Sequence, residues 1–88
     1  MINYKNNYKK AMHYADDEFY ACEICNAEAV DIHHIRGRVG NDVHEFKNLI
    51  GLCRKCHNKT HDKKYNIEEL LQYHHDFYTK RLKQINKL

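Results

Sequence analysis

The chain contains no proline and only three glycines, Gly37, Gly40 and Gly51. Nothing in it reads as a flexible interdomain linker, and no internal repeat or low-complexity tract appears. Long hydrophobic runs are missing too: mean hydropathy is −0.92, and no stretch approaches the ~20 apolar residues of a membrane span. Residues 1–10 are polar and lack the apolar run of a secretory signal peptide. A sequence of 88 residues with these absences is expected to form a single domain over 1–88, in a reducing, cytoplasmic compartment. A chain this short buries only a modest fraction of its surface and usually needs a staple.

Cysteine can supply that staple. Two Cys-x-x-Cys pairs, Cys22/Cys25 and Cys53/Cys56, each present two sulfurs to one ion, and together they close the four-ligand tetrahedral shell of a structural zinc. Four cysteines also allow two disulfides, but a reducing compartment favours metal binding. Residues 26–52 separate the pairs, a gap of 27 residues that exceeds the usual zinc-ribbon spacing and leaves room for an inserted hairpin. A competing ligand set, Cys22 and Cys25 with His57 and His61, has the residue types of a finger. Its internal gap is too long, and it leaves Cys53 and Cys56 unexplained.

Histidines form a second constellation. His57 and His61 are four apart, so on a helix their rings lie on one face and can chelate one cation. Cys56 and His57 are about 100° apart around such a helix, so a thiolate can face one ion while the imidazole faces another. His33 and His34 are consecutive in a short alternating segment, and in a regular strand they point to opposite faces. Both can serve one site only at a strand end; otherwise one is a ligand and the other a packed or surface residue. His13, His44, His74 and His75 lack partner spacing and read as surface or packed residues. Most of the seven tyrosines fall at helical apolar spacing, which points to packing.

The spacing of Tyr4, Tyr8, Ala11, Met12 and Ala15 predicts an amphipathic helix over 3–15. Val30 and Ile32 alternating with Asp31 and His33 predict a strand within 29–35, and residues 49–52 a second. A loop from Arg36-Gly37 to Gly40-Asn41-Asp42 joins them. Residues 54–63 read as a short basic helix. The last helix, 66–87, opens with a capping-box spacing, Asn66 to Glu69. Its apolar stripe is Ile67, Leu70, Leu71, His74, Phe77, Tyr78, Leu82 and Ile85, with Glu68, Asp76, Lys80, Lys83 and Lys87 opposite. The fold class is therefore small α+β. Formal charge is +3, with the positive excess concentrated after residue 50; this suits a phosphate polyanion and equally a solvated helical face.

The run from Cys22 to His61 resembles the HNH endonucleases, the ββα-metal group that includes many phage and homing nucleases and the nuclease colicins. The matching elements are Cys22-Glu23-Ile24-Cys25, Asp31-Ile32-His33-His34-Ile35, Asn48-Leu49-Ile50-Gly51-Leu52, and Cys53-Arg54-Lys55-Cys56-His57 with His61. They occur in the family's order and spacing over about 40 of 88 residues, and the cysteines match its zinc-knuckle subset. The resemblance implies a ββα-metal core over 20–63 flanked by the two terminal helices. It implies that His33, His57 and His61 hold a catalytic divalent cation, that His34 is the general base, and that Asn48 braces the loop and so orients it. His33, His34 and Asn48 then form the catalytic set, and the products carry 5′-phosphate and 3′-hydroxyl ends.

If the hairpin loop meets a duplex, Arg36 and Arg38 are the best phosphate contacts, with Arg54, Lys55 and Lys59 beside the metal-binding helix. Imidazole ligands suit zinc, nickel, cobalt or manganese better than magnesium, and the identity among Mg, Mn, Ni, Co and Zn stays open. The leading expectation is a metal-dependent endonuclease acting on double-stranded DNA, in a bacterial or phage-infected cytoplasm. The rival is a non-catalytic zinc module that binds nucleic acid or a protein. A third reading, a catalytic fragment that needs a partner protein for targeting, is compatible with the first.

Overall fold

The computed structural model describes residues 4–15, 17–38 and 43–86. The Gly40-Asn41-Asp42 end of the expected loop and Lys87 of the expected polar face lie outside them. Element order is α1 (Tyr4–Ala11), β1 (Asp31–His34), a 3-10 turn (Phe46–Asn48), β2 (Leu49–Leu52), α2 (Arg54–His61) and α3 (Ile67–Asn86). This is a small α+β architecture with a two-stranded sheet, consistent with a ββα-metal fold.

The strands pair antiparallel with Asp31 opposite Leu52, Ile32 opposite Gly51, His33 opposite Ile50 and His34 opposite Leu49. Opposed residues share a face, so the register sorts the side chains into two sets. Ile32 and Leu49 join Tyr8, Met12 and Tyr14 in one buried cluster beneath α1. Ile50 and Leu52 join Cys22, Ile35, Cys56 and Leu70 in the other, between α2 and α3. The sheet thus separates two small cores, and β2, buried at all four positions, contributes to both.

The first helix is shorter than its apolar pattern suggested. It ends at Ala11 because His13 adopts a left-handed conformation (φ 63°), with His13 N donating to Lys10 O and Tyr14 N to Lys9 O. That is a Schellman closure without the usual glycine. Met12 and Tyr14 still pack inward from the turn, and Arg81 of α3 donates to the carbonyls of Met12 and His13 at 3.0 and 3.1 Å. The second helix closes the same way: Lys63 has φ 58°, and Lys64 N donates to Lys59 O. The capping box of α3 forms in both directions, Glu69 N to Asn66 Oδ1 at 2.8 Å and Asn66 N to Glu69 Oε1 at 3.2 Å. Most of its predicted stripe packs inward; Ile67, in the first turn, is 45% exposed.

A polar node ties these elements together. Glu23, buried, accepts hydrogen bonds from the Tyr8 hydroxyl, from Gly51 N at 2.8 Å and from His74 Nδ1 at 2.7 Å. Glu23 N in turn donates to Gly51 O. Burial, then the adjacent Glu23 carboxylate, push the Tyr8 hydroxyl's pKa up, so it acts as a donor. The node requires glycine in the middle of β2: a Cβ at Gly51 would lie 2.7 Å from the Tyr8 hydroxyl and 3.1 Å from the Tyr20 ring. Gly51→Ala is therefore expected to destabilise the fold by about 1–3 kcal/mol through overpacking, read as a lower melting midpoint. An unchanged midpoint would mean that α1 yields freely.

Candidate metal centre and active site

The four cysteines converge. Their sulfurs all lie within 4.8 Å of one another, and Cys25 and Cys53 Sγ are 3.6 Å apart, too far for a disulfide. Sulfurs bound tetrahedrally to one zinc-sized ion are about 3.8 Å apart, given metal–sulfur bonds of about 2.3 Å, so the donor set fits such an ion. Two backbone features aim it. The first knuckle turns through Asn26 (φ 68°), with Cys22 N donating to Ala27 O. Cys53 is the N-cap of α2 and accepts from Cys56 N. That N–H is the main reason the Cys53 thiol is pulled down to about 7, while burial and then the neighbouring sulfurs push the Cys56 thiol up. A bound cation reverses such a penalty, because it stabilises every thiolate at once.

On the same side of the sheet, the histidines expected to share an ion are neighbours. Ring centroids are 5.2 Å apart for His33 and His57, 6.2 Å for His33 and His61, and 4.7 Å for His57 and His61. Three imidazoles on one tetrahedral ion place their centroids roughly 5 Å apart. Burial, then the neighbouring His57 and His61, hold His33 down to about 4, so it is neutral near pH 7 and able to ligate. Among the described residues, though, the thiols are the group already drawn tight enough to hold an ion.

Asp31 belongs to this site although sequence reasoning passed over it. It lies two residues before His33, hence on the same face of β1, and its Oδ2 is 2.9 Å from His57 Nδ1. That oxygen is buried and aligned for no hydrogen bond, although Arg54 Nε also lies 3.0 Å away. A carboxylate beside one imidazole nitrogen leaves the other nitrogen for a metal, and a small rotation of the ring would complete the hydrogen bond that orients it.

His34 stands apart from the triad, on the opposite face of β1 at its last residue. Its Nε2 is 3.2 Å from His44 Nδ1. The Tyr4 ring meets His34 edge-on at 4.8 Å and stacks on His44 at 5.4 Å, with the planes 4° apart. Burial, then Arg38 and His44, lower the His34 pKa, which keeps the ring neutral. His44, read from sequence as an isolated surface or packed residue, is thus the hydrogen-bond partner of the expected base. No spacing rule announces a partner ten residues away across a loop.

Asn48 is buried at the end of the 3-10 turn. It accepts from Arg36 N at 2.8 Å and donates to Gly37 O at 3.2 Å and Val43 O at 2.9 Å, clamping both ends of the loop. The basic residues are less uniform than their sequence grouping suggested. Arg36, Arg38 and Lys55 are exposed and Lys59 is half-buried. Arg54 is held by Asp31, and Arg38 donates to the Tyr4 hydroxyl while lying over its ring.

Residues 21–63 match the family model described as HNH endonuclease. That match points to a nuclease-type function. No curated protein and no solved structure matches the chain. The thiol geometry predicts about one tightly held divalent ion with four sulfur ligands, measured by elemental analysis together with thiol titration before and after chelation. Cys53→Ser is expected to lose the ion and much of the stability. Full metal content in that variant would exclude Cys53 from the ligand set.

Proposed function

We propose that the chain is a metal-dependent DNA endonuclease that hydrolyses phosphodiester bonds. The observation that carries this reading is the pairing of a three-imidazole cluster backed by Asp31 with a neutral, buried histidine at the end of the same strand, all inside the HNH segment. A zinc-binding module alone has no use for that second cluster.

Each residue has a distinct task. His33, His57 and His61 would hold the divalent cation, with the Asp31 carboxylate 2.9 Å from His57 Nδ1. When bound, that cation supplies Lewis-acid stabilisation to the phosphate and to the departing 3′ oxygen. His34, neutral near pH 7, accepts the proton of the attacking water, and the cut leaves 5′-phosphate and 3′-hydroxyl ends. Asn48 holds the loop that shapes the site. The thiol set would hold zinc and serve stability alone, because four thiolates leave no open position.

Double-stranded DNA is the proposed substrate and a bacterial or phage-infected cytoplasm the proposed setting. Arg36, Arg38, Arg54 and Lys55 are exposed and Lys59 is half-buried, the last three lying on α2; these five are the proposed phosphate contacts. Among the described residues no helix is long and apolar enough to cross a membrane. The catalytic ion is left among Mg, Mn, Ni, Co and Zn, with nitrogen donors favouring the later transition metals. Little surface remains for reading base sequence, so targeting would fall to a partner protein or be absent.

Two measurements test the proposal. Supercoiled plasmid incubated with the protein across Mg, Mn, Ni and Zn is expected to relax or linearise, and EDTA to stop the reaction. His34→Ala should reduce cleavage by at least about 100-fold, as expected for removing a general base, with thiol-bound metal unchanged. Activity retained in that variant removes His34 from the role of base, and no cleavage with any ion favours the non-catalytic zinc module. Separately, Arg36→Ala with Arg38→Ala should weaken duplex binding at low salt and lower the salt slope by about 2 if each contacts one phosphate. Unchanged affinity places the duplex elsewhere.

A further inference from the structure

His34 needs more than burial to act as a base. A neutral imidazole has one N–H and one lone pair, and only the nitrogen facing the water is of use. Two tautomers and two ring orientations are available to an unpartnered histidine. In this chain a loop residue stands against the ring. Asn48 holds Val43 O at 2.9 Å, which places the next residue, His44, against the end of β1. There His44 Nδ1 lies 3.2 Å from His34 Nε2. His44 is itself held flat against the Tyr4 ring, and the Tyr4 hydroxyl accepts from Arg38. α1, which lies outside the family segment, therefore buttresses the loop residue that touches the base.

We infer that His44 is a positioning residue for His34: its Nδ1 accepts the His34 Nε2–H, fixes His34 in that tautomer, and leaves His34 Nδ1 as the lone pair that takes the proton. Among the described residues the hydrogen-bond contact of the His34 ring is at Nε2, not at Nδ1. The proton balance is simple. Water gives its proton to His34 Nδ1, and the Nε2–H bond to His44 stays in place throughout. The resulting imidazolium keeps one donor bonded to His44 and later releases the Nδ1 proton to solvent or to the departing oxygen. A neutral imidazole in this role differs from a carboxylate partner. It sets the orientation of the ring without adding negative charge beside a phosphate substrate.

This assignment rests on the nuclease reading for its consequence but not for its geometry, and the test separates the two. Imidazole nitrogen NMR of the DNA-free protein at mildly alkaline pH is expected to show His34 protonated at Nε2 alone. In His44→Ala the two His34 tautomers should both be populated. His44→Asn, whose Oδ1 can sit where Nδ1 does and accept the same hydrogen bond, should restore the single tautomer. In plasmid cleavage, His44→Ala should lower kcat roughly 10- to 100-fold with KM little changed, the usual scale for removing an orienting partner. His44→Asn should recover most of that loss.

His34 protonated at Nδ1 in the wild type overturns the inference, as does a tautomer indifferent to His44→Ala. Failure of Asn to restore what Ala removed also overturns it, because packing alone would then be the role of His44. An inert wild-type protein that shows the expected tautomers would sink the nuclease reading and leave the hydrogen-bond assignment standing.

Discussion

A single buried carboxylate carries much of the connectivity. Glu23 reaches the Tyr8 hydroxyl of α1, the Gly51 amide of β2 and the His74 ring of α3, three elements far apart in sequence. A buried acceptor without these donors would be strongly unfavourable, so the elements must arrive together or the carboxylate must remain in water. The same residue sits beside Cys22, so the knuckle, the sheet and both flanking helices are registered against one another at one point. Gly51 makes the approach feasible, since any side chain there would displace Tyr8.

From that registration the two faces of the sheet acquire different duties. Asp31 and His33 look toward α2 and its histidines, while Ile32 and His34 look toward α1 and the loop. Consecutive histidines are therefore partitioned by strand pleat, His33 toward the His57 and His61 rings and His34 toward Tyr4 and His44. Asn48 links the halves: its side chain clamps the loop beside His34, and its carbonyl accepts from Ile35 N, extending the ladder of the sheet. The thiol set fixes where α2 begins, through the Cys53 N-cap, and so where His57 and His61 point. The thiol cluster and the imidazole cluster share one helix without sharing a residue.

Much of this was legible from residue spacing. The two strands, the basic helix and the capped last helix follow from periodicity and capping chemistry that act over a few residues. The cysteine cluster followed from paired knuckles, and the histidine triad from a helical i, i+4 pair and the family pattern. Less legible were the ends of α1 and α2, where His13 and Lys63 take left-handed conformations that sequence rules reserve for glycine or asparagine. Asp31 carried a usable signal, since alternation puts it on the face of His33. Glu23, Tyr8 and His74 carried none, because a buried network declares itself only when its members meet.

The sequence by itself determined the kinds of chemistry present: soft sulfur donors in two knuckles, imidazoles at helical and strand spacing, and a short α+β chain too small to dispense with a staple. These depend on local geometry, which a few covalently linked residues dictate. Only the tertiary structure decided which groups act on one another. His44 reaches His34 across a loop, Tyr4 buttresses them from the first helix, and Asp31 rather than solvent backs His57. Such pairings depend on register and loop closure, which are set by the packing of the whole chain and not by any segment of it.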